Sequence, residues 1–163
     1  MRLSAQQLKQ FILVAIILAG VFARFYELSW HFAPYDDLGV AKTIMDYRHG
    51  GDFGWFAVPS LWNYSPFQFL ITPVFINLDQ PYREFLFWGR LPSAVFGCLG
   101  LIALVCFYSR MYGRATWKVL PALALLSFSW ENIIFAKQMH NYALGVAASV
   151  VLLIIFADNL RTK

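Results

Sequence analysis

The sequence predicts an all-α, multi-pass transmembrane helix bundle of about four spans, with interfacial helices in a long first external loop. Three observations predict it. Of the 163 residues, 60% are hydrophobic and only 13% charged, against roughly 45–50% and about 25% in soluble domains. The apolar residues fall in runs approaching the roughly 20 residues that a helix needs to cross a hydrocarbon core. The charges between those runs divide unequally between the two sides of a four-span zigzag. The net charge of +4 arises without any basic run, so no nucleic-acid partner is expected.

The first span is placed at 8–26, with Lys9 and Arg24 reaching towards opposite faces. The basic residues Arg2 and Lys9 ahead of an apolar run resemble the start of a signal peptide. The run passes into Arg24-Phe25-Tyr26-Glu27-Leu28 without a small-residue cleavage site, so an uncleaved span is expected. The second span, 88–108, contains the uncharged stretch from Leu91 to Tyr108, and the third, 118–136, is interrupted by Glu131. An acid late in a span needs a partner or water, and Asn132 or Lys137 is the expected partner. The fourth span, 142–158, is short and uses Tyr142 and Asn159 at its ends. Cys98 and Cys106, within one apolar run, suit packing rather than a bridge.

The external loop, 27–87, carries most of the acids together with Trp30, Trp55 and Trp62. Such an aromatic, mixed-charge segment suits helices lying in the interface. Apolar residues recur at helical spacing from Asp36 to Tyr47, bounded by Pro34 and by Gly50-Gly51. Ser65 to Leu78, broken by Pro66 and Pro73, reads as a re-entrant or interfacial piece.

Arg2, Lys9, Arg110, Arg114, Lys118, Arg161 and Lys163 share one side with the single acid Asp158. The other side holds Arg24, Lys42, Arg48, Arg83, Arg90 and Lys137 with the remaining acids, giving +6 and −2. The basic side is expected to be cytoplasmic, with both termini inside and the aromatic loop outside.

Asp36 and Asp37 open an external helix. Carboxylates there either cap the helix and complement its dipole, or one of them accepts a proton from an attacking hydroxyl. Adjacent helical side chains diverge by about 100°, so the two do not form the opposed pair of a glycosidase. Arg24, Arg90, Lys137 and His140 fall near the outer interface, where they either anchor span ends or meet an anion. His140 has no partner at metal-ligand spacing, so no metal site is expected. No Gly-rich nucleotide loop, Ser-His-Asp signature or Cys cluster is present.

The order of features resembles the N-terminal part of the GT-C glycosyltransferases, in particular the protein O-mannosyltransferase and lipid A aminoarabinose transferase group. Arg24 at the end of a first span is followed by Asp36-Asp37, where that group has Asp-Glu, then by Leu38 to Tyr47 and Gly50-Gly51-Asp52. Asn63-Tyr64-Ser65-Pro66-Phe67 is similar to a Pro-Pro-Leu-Tyr segment. Gly89-Arg90-Leu91-Pro92-Ser93-Ala94-Val95-Phe96-Gly97 resembles the Arg-Leu-Pro-Ser-Ala opening of the second span and is the most specific match. Tyr108 to Gly113 follows as the aromatic and basic turn, and His140-Asn141-Tyr142-Ala143-Leu144 stands where the group has Arg-x-Tyr-Ala-Leu.

The resemblance implies an inverting transfer of a sugar from a polyprenyl-phosphate donor to a protein or lipid acceptor at the external face. It implies Asp36 as the base, with Asp37 beside it, and Arg24, Arg90, Lys137, His140 and Tyr142 as substrate-binding residues. The short loops and the lack of acceptor-domain insertions favour a bacterial inner membrane over an endoplasmic reticulum membrane, and the implied partners are the lipid-linked donor, the acceptor and membrane lipids. The motifs leave the need for a divalent ion undecided. The group's enzymes have many more spans, so the chain is expected to be the first module of a longer enzyme or to work with a partner subunit. The alternative is a small non-catalytic membrane subunit that binds lipid or a partner protein. A transporter fragment is disfavoured, because no span centre carries a charge.

Overall fold

A computed structural model describes residues 4–29, 74–76, 80–113, 116–139 and 142–161. Its described part is helical: α1 (Ala5–Phe25), α2 (Tyr82–Tyr112), a 3-10 turn (Thr116–Val119), α3 (Leu120–Phe128), α4 (Trp130–Ala136) and α5 (Tyr142–Arg161). Three helices are long and apolar enough to cross a bilayer, and α3 with α4 forms a fourth, broken candidate bent by 60°. Helices suit this solvent because they satisfy their own backbone where no water can.

Local chemistry explains the helix ends. Ser4 caps α1 through a capping box: the Gln7 amide donates to Ser4 Oγ at 3.2 Å and the Ser4 amide to Gln7 Oε1 at 2.9 Å. At the other end Tyr26 leaves the helix and Glu27 adopts φ 51°, a left-handed conformation that costs a side-chain-bearing residue about 1 kcal/mol or more. Helix α2 begins at Tyr82, directly after Pro81. It therefore starts six residues before the expected edge of the second span and ends four residues after it. Pro92 lies inside α2 rather than at its beginning, where it removes one backbone donor. The third span, expected over 118–136 with an interruption at Glu131, breaks instead at Ser129, whose ψ of 132° is extended.

Lys9 lies over the Trp117 ring, Lys118 over Tyr112, and Arg110 pairs with Asp158. The start of α1, the α2–α3 connection and the last turns of α5 therefore gather at one end of the bundle, here the basal end. Helices α2 and α5 run parallel, since Gly100 lies against Ala147 near mid-length while Arg110 meets Asp158 at the base. Leu101, Val119 and Leu123 form a core between α1, α2 and α3, closed by Leu13, Ile16, Ile17, Leu104 and Val105. Phe11, Leu18, Phe22, Leu125, Leu152 and Phe156 project outward. Apolar contact alone gives spans little reason to associate in lipid, so close packing must hold the bundle. Small residues permit it: a Cβ on Gly20 would lie 2.8 Å from Ser127 Oγ, and one on Gly97 would lie 2.8 Å from the Ala136 Cβ.

Candidate functional site

At the opposite end of the bundle, here the distal end, three cations converge from three helices or their ends. Arg24 comes from the last turn of α1, Arg90 from the third turn of α2, and Lys137 from the residue that closes α4. Arg24 and Arg90 are both almost fully buried, at 1% and 3% exposure. A buried guanidinium is tolerated only where acceptors replace its water.

The acceptors are backbone carbonyls. The Arg24 guanidinium donates to Gly20 O at 2.8 Å on its own helix, to Leu126 O at 2.8 Å and to Ser127 O at 3.4 Å. Its Nε lacks a hydrogen-bond partner; it faces Gly97, where a Cβ would approach it to 2.9 Å. Arg90 donates to Leu28 O at 3.0 Å, and Lys137 Nζ to Tyr26 O at 2.7 Å. Each accepting group lies at or just beyond a helix C-terminus, except Gly20 O. Such carbonyls lack intrahelical donors and sit at the negative end of the helix dipole.

Among the described residues, Glu27 is the acid that acts on Lys137. Partial burial lowers the pKa of the Lys137 ammonium from its ordinary value, the Glu27 carboxylate opposes that shift, and the Arg90 guanidinium adds to it. Lys137 also lies 5.9 Å from the centroid of the Tyr26 ring, within the range of a cation–π contact. Tyr142 opens α5 and stacks against Phe135, with ring centroids 4.6 Å apart. Met139 is buried over Gly89, where a Cβ would lie 2.9 Å from its sulfur.

Of the residues singled out in the sequence, Arg24, Arg90, Lys137 and Tyr142 are thus gathered at one end. Asp36, Asp37 and His140 lie outside the described residues. Glu131 does not use the partners expected for it in any hydrogen bond seen: Asn132 donates to Ser129 Oγ at 2.5 Å and Lys137 to Tyr26 O. Its side chain is exposed at the start of α4. Cys98 and Cys106 are both free thiols. Among the described residues no group of His, Cys, Asp and Glu side chains is placed to hold a metal ion.

Two further features were not anticipated. Gly89, Ser93, Gly97 and Gly100 recur at helical spacing on α2, a small-residue stripe that allows close approach of neighbouring spans. An apolar groove of about 450 Å³ lies on α2, lined by Val74, Phe75, Leu91, Pro92, Val95 and Phe96. The first feature was legible as spacing; the second depends on where residues 74 and 75 return to the bundle.

The fold and composition define an integral membrane protein, with three or four candidate spans among the described residues. No family model, curated protein or solved structure matches the chain.

Proposed function

We propose that this chain is the N-terminal module of a GT-C-type glycosyltransferase that moves a sugar from a polyprenyl-phosphate donor to a protein or lipid acceptor at the external membrane face. The observation that carries the reading is the convergence of Arg24, Arg90, Lys137 and Tyr142 at the end where the chain leaves α1 towards Asp36 and Asp37. Transfer from a lipid phosphate needs a base for the acceptor hydroxyl and positive or hydrogen-bonding groups for the departing phosphate. Asp36 is the proposed base. Lys137 is only partly buried and, with His140 and Tyr142, is the proposed contact to phosphate, while Arg24 and Arg90 add positive charge from behind. The groove beside Arg90 offers an apolar surface suited to an isoprenoid chain. In this reading the distal end faces outward, and the basal end, with its lysines and arginines, faces the cytoplasm of a bacterial cell.

A second reading is favoured by the same hydrogen bonds. Guanidinium groups engaged with carbonyls have fewer donors left for a phosphate, as suits a non-catalytic subunit that packs against a partner. The two readings separate on one residue. Asp36→Asn, made in the complete assembly that contains the chain, is expected to abolish sugar transfer while membrane insertion is retained. Transfer at the wild-type rate in that variant removes Asp36 as the base and leaves the subunit reading.

A further inference from the structure

The third span breaks where its sequence provides no conventional breaker. Between Ala122 and Ala136 there is neither glycine nor proline, yet the chain bends by 60° at Ser129. The Ser129 amide still donates to Leu125 O at 2.9 Å, and Ser129 O accepts from Ile133 at 3.1 Å. In a continuous helix Leu126 O and Ser127 O would receive the amides of Trp130 and Glu131. Those are the two carbonyls held by Arg24. Sharp kinks arise where a side chain enters the i→i−4 ladder, and a half-helix end inside a membrane protein is a site that attracts cations.

We infer that Arg24 is a positioning residue: its guanidinium acts as a tethered cation in the break of the third span, and this occupancy sets the bend that directs α4 and Lys137. Gly97 gives it room, since a Cβ there would lie 2.9 Å from Nε and 3.1 Å from Cδ. Gly20 lets α1 approach α3 closely enough for the guanidinium to cross between them. The inference concerns the backbone alone and does not rest on the glycosyltransferase reading.

Its test is a distance across the bend. Spin labels at Lys118→Cys and Gln138→Cys, with Cys98 and Cys106 replaced by Ala, report the separation of the two ends of the third span in the full chain in lipid nanodiscs. Arg24→Leu is expected to lengthen that distance and Arg24→Lys to broaden its distribution, because one ammonium cannot span both carbonyls and Gly20 O with the planar geometry of a guanidinium. An Arg24→Leu distribution identical to that of the parent overturns the inference. If Arg24→Leu alone does not fold, the double variant Arg24→Leu/Ser129→Ala decides, since alanine favours the continuous ladder. Recovery of a folded chain with the longer distance supports the inference. A double variant that keeps the short distance, or that also fails to fold, overturns it.

Discussion

The two ends of the bundle use the same basic side chains in opposite ways. At the basal end, Arg110 pairs with Asp158 while both remain about half exposed, and Lys9 and Lys118 lie over aromatic rings. At the distal end, Arg24, Arg90 and Lys137 engage backbone carbonyls, and the two arginines are buried. Exposed pairs are exchangeable with water and salt, and contribute at most about 1 kcal/mol. Charge-assisted bonds to carbonyls without helical donors replace something water cannot supply inside a bundle. The basal cations therefore decorate an interface, whereas the distal ones complete the backbone.

The sharpest way to break this comparison is to remove one arginine from each end. Arg24→Leu removes the charge-assisted bonds to Gly20 O, Leu126 O and Ser127 O that fix the bend and is expected to lower stability by about 3 kcal/mol, measured by unfolding in mixed micelles. A loss below that of Arg110→Leu would erase the distinction between the ends. Next in size is Gly97→Val, which drives a branched side chain into Arg24 and Ala136 and is expected to cost about 1–3 kcal/mol by overpacking. A fully stable Gly97→Val would mean that α2 and α4 can separate without penalty. At the basal end, a double-mutant cycle on Arg110 and Asp158 is expected to give a coupling of about 1 kcal/mol or less that fades with added salt. A larger, salt-resistant coupling would put the two ends on the same footing.

The smallest effect concerns protonation. Because the folded-state pKa of Lys137 lies below its unfolded value, the unfolded chain binds more protons between the two. The penalty from charged Lys137 is fully present below the folded pKa and is relieved as pH rises towards the unfolded value. Stability should therefore rise with pH across that alkaline window relative to Lys137→Met. A difference that stays flat or falls contradicts the direction of the shift.

These contrasts also explain how much could be read beforehand. The spans were legible because 18 or more nearly uncharged residues have few alternatives to a helix in lipid. The early start of α2 was available in Pro81, a residue suited to the beginning of a helix, but Arg83 and Glu84 read as loop. The break at Ser129 was invisible, because its cause is a side chain about a hundred residues away acting on main-chain atoms. Carbonyls carry no sequence signature. For the same reason Arg24, Arg90 and Lys137 could be named as a group at one end, while their acceptors could not. Asp36, Asp37 and His140 stand as sequence readings, since they lie outside the described residues.

The link between Arg24 and the third span also imposes an order on biogenesis. Arg24 is synthesised 102 residues before Leu126, the carbonyl it will hold. The first span must therefore enter the bilayer with its arginine hydrated or borrowed by lipid headgroups, and exchange those partners when the third span arrives. The chain closes its distal end only after most of it has been made, so an interruption of synthesis before Leu126 leaves the first span with a cation that has only Gly20 O from its present acceptor set.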